Sequence, residues 1–142
     1  MQRIRTSAKG TIDIGSREDI HAATTESYDV VVTVDIEPID ARPIRAYHWV
    51  NMSDGYSGDR GHYTRAMFDQ AADVVANALR AGYHVAIHCY VGRSRSVAVA
   101  IAAIGRVQHL SFEQARNLVR EQRPQSQMKP LLAQHARAYI ER

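Results

Sequence analysis

The chain holds one cysteine, Cys89, at the end of a short apolar run, HVAIHC (84–89). Directly after it come Tyr90, Val91, Gly92, Arg93, Ser94, Arg95 and Ser96. A thiolate is a strong nucleophile, and a guanidinium can grip two oxygens of a phosphate at once. Gly92 permits a positive φ or a close approach of backbone to a ligand. The loop leads into an apolar helix whose first N–H groups lack partners within the helix and, with the helix dipole, form an anion site. The same N–H groups and Arg95 favour the thiolate over the thiol. A thiolate aimed at a phosphate bound there is a nucleophile for phosphoryl transfer.

The rest of the chain must hold that loop still. TIDIG (11–15) alternates and stops at a glycine, as a short strand does. SREDIHAAT (16–24) has room for one helical turn or two. YDVVVTVDIE (28–37) is β-branched and nearly continuous in its apolar residues, which suits a strand covered on both faces. IRAYHWV (44–50) is a further strand, followed by the polar, glycine-rich loop NMSDGYSGDRG (51–61). HYTRAMFDQAADVVANALRAG (62–82) carries Phe68, Ala71, Ala72, Val75 and Leu79 on one helical face and ends at Gly82. HVAIHC is strand-like. SVAVAIAAIGRVQ (96–108) is apolar nearly all round and so predicts a central buried helix. LSFEQARNLVREQRP (110–124) opens with Ser111 and Gln114 at capping-box spacing and stops before Pro124, and KPLLAQHARAYIER (129–142) places a proline in its first turn. This order predicts one α/β domain over 1–142, with a central, mostly parallel twisted sheet of roughly four or five strands and helices on both faces. The thiol then lies at the C-terminal ends of the strands, where open α/β sheets bind ligands.

Composition fits a soluble globular domain: 142 residues, 45% hydrophobic and 23% charged, with a net charge of +3. That balance is too weak to argue for nucleic acid. The longest apolar stretch, 97–104, is far short of the ~20 residues that a membrane span needs. The N-terminal MQRIRTSAKG lacks the apolar segment of a signal peptide. A lone cysteine cannot form an internal disulfide, so a reducing, cytoplasmic setting is expected. His21, His84, His109 and His135 are scattered without metal-site spacing, and neither metal nor cofactor is expected.

A Cys and an Arg separated by five residues resemble the signature of the protein tyrosine phosphatase superfamily. The fuller HCYVGRSRS resembles the dual-specificity phosphatases and their HC-x-x-G-x-x-R-S pattern. TIDIG resembles that family's N-terminal strand, ANALRAG matches the helix end before the loop, and SFEQARNLVREQRP resembles its closing helix. The resemblance covers nearly the whole chain. It implies a tyrosine-phosphatase-like fold acting on phosphotyrosine and phosphoserine/phosphothreonine in proteins, with no cofactor and with a monomer as the default. Cys89 is then the nucleophile that forms a phosphocysteine. Arg95 and the N–H groups of Tyr90, Val91, Gly92, Arg93, Ser94 and Arg95 bind the phosphate. Ser96 hydrogen-bonds the thiolate and helps it leave, and His88 supports the loop without transferring protons.

The leaving oxygen needs a proton, which a neutral carboxyl group supplies before the same carboxylate activates water. The resemblance places this group on an Asp in a separate, upstream loop. Asp54 and Asp59 both qualify. Asp54 is preferred, because it closely follows the strand IRAYHWV in an Asp-Gly pair, whereas Asp59 suits a helix cap. The glycines around them suit a loop that closes over substrate. His48, Trp49 and His62 flank this loop as packing or cap residues. Arg93 points to solvent or to an acidic substrate flank. Tyr90 lines the pocket rim or packs on a neighbouring loop, the second being preferred. Lys129 and the arginines of RNLVREQR are most simply a solvated face, with a basic docking surface as the alternative.

Rival functions are narrower. A module that holds phosphorylated partners without turnover usually lacks the Cys or the Arg, and both are present. RNA 5′-phosphatases of the family usually carry Asn where Ser94 stands, and phosphoinositide phosphatases carry loop lysines that this loop lacks. Arsenate reduction generally needs a second, resolving cysteine. Sulfur transfer of rhodanese type fits the Arg-Ser ending poorly.

Overall fold

A computed structural model describes residues 1–53 and 63–142. The strands are β1 (Gln2–Ile4), β2 (Thr11–Gly15), β3 (Val30–Asp35), β4 (Ala46–Asn51) and β5 (His84–His88). The helices are α1 (Arg17–Ala22), α2 (Arg65–Arg80), α3 (Arg95–Gln108), α4 (Phe112–Gln122) and α5 (Pro130–Glu141), with a 3-10 turn at Thr25–Ser27.

The strands form one sheet in the order β1-β2-β5-β3-β4. All neighbours are parallel except β1, which runs antiparallel to β2 along the edge. Central strands of a parallel sheet are buried on both faces, and β3, VVVTVD, is buried at every position. The chain crosses from β2 through α1 to β3, leaving a place that β5 later fills. The C-terminal ends of β2, β5 and β3 therefore open side by side on one edge of the sheet.

Two apolar layers cover the sheet. The larger joins Ile12, Ile14, Val32, Val85 and Ile87 to α2, α3, α4 and α5. The α3 helix lies at its centre, with Val97–Ile104 fully enclosed. Its near-uniform apolar character follows from being surrounded, since a helix with no solvent face has no polar stripe. The second face carries a thinner layer in which Ile20 of α1, Tyr28, Val31 and Ala86 meet Ile39, Ala41 and Tyr47. The helices on this face reduce to one short element and a loop.

Local signals set the helix ends. Ser111 Oγ accepts from the Gln114 N–H at 3.1 Å, and Gln114 Oε1 accepts from the Ser111 N–H at 2.9 Å, so the capping box at α4 is closed. A second capping box, Ser16 with Asp19, starts α1. Thr64 caps α2 by accepting from the Met67 N–H at 3.2 Å. No helix among the described residues is long and apolar enough to cross a membrane.

Candidate active site

Strand β5 delivers the cysteine. It lies between β2 and β3, and its end carries His88 and Cys89 to the open edge, where the chain turns through Tyr90–Ser94 into α3. The Cys89 thiol is almost wholly buried. Its Sγ accepts from the Gly92 N–H at 3.2 Å and lies 3.2 Å from Ser96 Oγ. Ser96 thus stands beside the thiol.

The loop is held from outside by its carbonyls. The Arg17 N–H donates to Tyr90 O at 3.0 Å, and the Gln127 N–H to Arg93 O at 2.7 Å. Arg123 Nε donates to Gly92 O at 2.9 Å, and the ring of His88 reaches Cys89 O through Nδ1 at 3.3 Å. Every described peptide is trans. In a trans peptide the N–H points opposite to the C=O. Four carbonyls bound outward thus turn the N–H groups of Tyr90, Val91, Arg93 and Ser94 inward. Ser94 precedes α3 without capping it, since its hydroxyl accepts from the Lys129 N–H at 3.0 Å instead. The first N–H groups of α3 keep their capacity for an anion.

Gly92 has φ +77, and a Cβ there would stand 2.7 Å from both an Arg123 nitrogen and the Gly15 carbonyl carbon. Backbone angle and space both require glycine at this position. Arg123 corrects the reading of the RNLVREQR arginines as a solvated face. Its side chain is buried against the back of the loop and also donates through Nη1 to Gln2 Oε1 at 3.0 Å. Burial lowers its pKa, while Asp19 and Cys89 oppose that shift.

Arg95 is buried at the first position of α3. Its Nη1 donates to Asp35 Oδ1 at 3.0 Å and to Met52 O at 2.9 Å. Asp35, the last residue of β3, is nearly inaccessible. Its other oxygen, Oδ2, accepts from Arg17 Nε at 3.3 Å and Nη2 at 2.9 Å. The Trp49 indole donates to Asp35 O at 2.9 Å. One carboxylate thus fixes two guanidiniums, and Arg17 also reaches the loop through its own backbone. Sequence reasoning missed Asp35. The available signal was an acid closing a wholly buried strand, a placement that needs a charged partner.

His88 has no exposure. The register sets Thr33 of β3 beside it. The Ile39 N–H donates to Tyr47 Oη at 3.0 Å, Tyr47 Oη donates to Thr33 Oγ1 at 2.7 Å, and Thr33 Oγ1 lies 2.7 Å from His88 Nε2. A chain running in that direction makes Nε2 the acceptor and leaves the proton on Nδ1, facing Cys89 O. Burial lowers the ring's pKa to about 4, so it is neutral near pH 7. A neutral, fully bonded ring agrees with a supporting role.

Cys89, Val91, Arg93, Arg95, Gln127 and Lys129 line a cavity of about 510 Å³ over the loop. Lys129 belongs to this site rather than to a solvated face. Arg93 is exposed on its rim. Tyr90, expected on the pocket rim or packed on a neighbouring loop, is 63% exposed and borders a separate cavity with Ser16, Arg17 and His21. Asp54, Asp59 and His62 lie outside the described residues. No group of three or more His, Cys, Asp or Glu able to hold a metal occurs among the described residues.

A parallel sheet that delivers a Cys-x5-Arg loop to the start of a buried helix is the architecture of the tyrosine phosphatase superfamily. The family model for the dual specificity phosphatase catalytic domain matches residues 14–137. Dual specificity protein phosphatase 12 of Mus musculus is 32% identical over 108 residues, covering 69% of this chain and 29% of that protein. Dual specificity protein phosphatase 1 of Arabidopsis thaliana is 37% identical over 57 residues, covering 40% and 29%. The chain thus spans less than a third of the length of these two relatives. Among solved structures, human DUSP28 superposes with a TM-score of 0.78 at 23% identity, covering 99% of this chain and 94% of that one. PTPMT1 superposes with a TM-score of 0.72 at 17% identity, covering 99% and 93%, and supports the fold alone. The chain belongs to the dual specificity phosphatase family.

Proposed function

We propose that this domain hydrolyses phosphotyrosine and phosphoserine/phosphothreonine in proteins through a phosphocysteine on Cys89. The observation that supports it most is the convergence of an amide donor and a hydroxyl on one buried sulfur, in a cavity that the sulfur shares with an anchored arginine. The phosphate sits in the loop's inward N–H groups. Asp35 and Met52 anchor Arg95 through Nη1, which holds its guanidinium for the phosphate. The thiolate attacks phosphorus, and the P–O bond to the ester oxygen breaks. The leaving oxygen takes a proton from a carboxyl group, for which Asp54 is the first candidate and Asp59 the second. Water then attacks the phosphocysteine, giving up a proton to that carboxylate. The P–S bond breaks, and Sγ departs as a thiolate that accepts from the Ser96 hydroxyl.

Hydrolysis of p-nitrophenyl phosphate without added metal, over pH 4–8, tests this reading. The wild type should turn over, and Asp54→Asn should lose activity while Asp59→Asn retains it. Loss in Asp59→Asn alone moves the acid to that residue. A wild type that binds vanadate but never turns over is a phosphate-binding module, and the enzymatic reading fails. PTPMT1 is known in complex with PI(5)P. Turnover of that lipid with none of phosphopeptides would replace the protein substrate.

A further inference from the structure

A second cavity, of about 580 Å³, runs between α3, α4 and α5 and meets the catalytic pocket at Gln127, Met128 and Pro130, which line both. Its floor is apolar, built from Val97, Ile101, Phe112, Met128 and Ala133. Its wall is cationic. Arg116 and Arg120 of α4 line it; neither makes a direct ion pair among the described residues, and Glu113 feels the charge of Arg116. Arg137, on the α5 side, is already neutralised by Glu113 at 2.6 Å and Glu141 at 3.5 Å. Arg116 and Arg137 both stand over the Phe112 ring, with centroid distances of 5.6 and 4.6 Å.

Two buried polar atoms on this wall lack a hydrogen-bond partner among the described residues: Ser126 Oγ and Arg116 Nε. Ser126 is more than nine-tenths buried and lines the cavity. Such groups cost stability unless something bonds to them.

We propose that this groove docks the polypeptide that carries the phosphoresidue, taking an apolar side chain on its floor and neighbouring carboxylates and backbone carbonyls on Arg116, Arg120 and Ser126. The proposal rests on the phosphatase reading above. Continuity with the catalytic pocket lets one extended chain occupy both. A polypeptide brings an acceptor carbonyl at every residue, about 3.3 Å apart along a strand. An acyl chain of a lipid would fill the floor but leave both buried donors without an acceptor, which disfavours it.

The test uses phosphotyrosine peptides in which an Asp-Leu-Asp segment is moved through successive offsets on either side of the phosphotyrosine, alongside p-nitrophenyl phosphate. At the best offset, kcat/KM should exceed that of the peptide with the segment replaced by Ser-Gly-Ser. The paired variant Arg116→Gln/Arg120→Glu should lower kcat/KM for that peptide about tenfold, as expected for losing charge-assisted contacts. The groove-filling Ala133→Leu should act in the same direction. Turnover of p-nitrophenyl phosphate and the Tm of Ala133→Leu should stay near wild type. Equal kcat/KM at every offset, or groove variants that leave the peptide unaffected, would overturn the proposal. Variants that slow hydrolysis of PI(5)P in phosphatidylcholine vesicles but not of the peptide would assign the groove to a lipid. Absent p-nitrophenyl phosphate turnover in the wild type would instead sink the phosphatase reading. Fluorescence-detected binding of the unphosphorylated Asp-Leu-Asp peptide, lost in the paired variant, reads the groove separately.

Discussion

Asp35 Oδ1 and Arg95 Nη1 lie 3.0 Å apart, and both side chains are nearly withdrawn from solvent. The acid ends β3, the arginine begins α3, and the contact ties the sheet to the phosphate loop. A buried ion pair adds little net stability over an apolar pair, yet breaking one by removing a partner costs about 3–5 kcal/mol. Under the proposed reading, Asp35 is a positioning residue that holds Arg95 in place for the phosphate.

Asp35→Asn keeps the shape but weakens the hold on both Arg95 and Arg17. We predict a fall in kcat of about a hundredfold, the scale of a 1 Å misplacement of a catalytic group. Vanadate should bind more weakly as well, and Asp35→Glu should recover part of both. Steady-state kinetics and vanadate titration on all three proteins check this. Reduced Tm with unchanged kcat in the folded fraction would make Asp35 merely structural.

The underside of the loop offers an independent test. Gly92→Ala forces a side chain into the left-handed region and against Arg123 and Gly15. Backbone strain alone should cost about 1–3 kcal/mol. Arg123→Met leaves Gly92 O without its donor, with a similar expected loss of about 1–3 kcal/mol. Urea denaturation gives the stabilities. Phosphate affinity measured below each variant's transition should fall as well, since both changes free the peptide plane that aims an N–H inward.

His88 predicts a pH dependence of stability. Its folded pKa, about 4, lies below its ordinary value of 6.5. Between the two, the unfolded chain binds a proton that the folded chain refuses. Stability from this group is thus fully present above 6.5 and is lost as the pH falls toward 4. The size is on the order of 3 kcal/mol, at 1.36 kcal/mol per pKa unit. Urea midpoints should fall across that window in the wild type, and His88→Gln should flatten the slope. A parallel slope in the variant would assign the effect to other groups.

Ser96→Ala removes the hydroxyl 3.2 Å from Sγ. A hydrogen bond to a charged group is worth about 1.5–3 kcal/mol, so departure of the thiolate should slow about ten- to a hundredfold. Rapid-mixing kinetics should then show a burst of p-nitrophenol followed by a slow phase. Loss of the burst and of the steady rate together would place Ser96 in the first step instead.

Much of this architecture is legible in the sequence because its signals are local. The capping box of α4, the buried run of β3 and the all-round apolar α3 each state their surroundings within a few residues. The edge strand β1 is not legible: Gln2–Ile4 is short, and only its pairing with Ile12–Ile14 makes it a strand. Cys89, Gly92, Arg95 and Ser96 could be read because they share one loop. Asp35 and Arg123 are 54 residues before and 34 residues after Cys89 in the chain. Their roles exist only after β3 pairs with β5 and α4 ends behind the loop. Arg123 also sits one residue past its helix, so helical periodicity says nothing about which way it points.

The most direct test of the central claim is covalent. Ser96→Ala protein, which should accumulate the intermediate, is mixed with p-nitrophenyl phosphate, quenched in the steady state and mapped by peptide mass spectrometry, with Cys89→Ser and the wild type alongside. The account predicts a phosphoryl group on the peptide containing Cys89, turnover in the wild type, and neither turnover nor label in Cys89→Ser. Wild-type-like turnover in Cys89→Ser, or a phosphoryl group found on another residue, would contradict it.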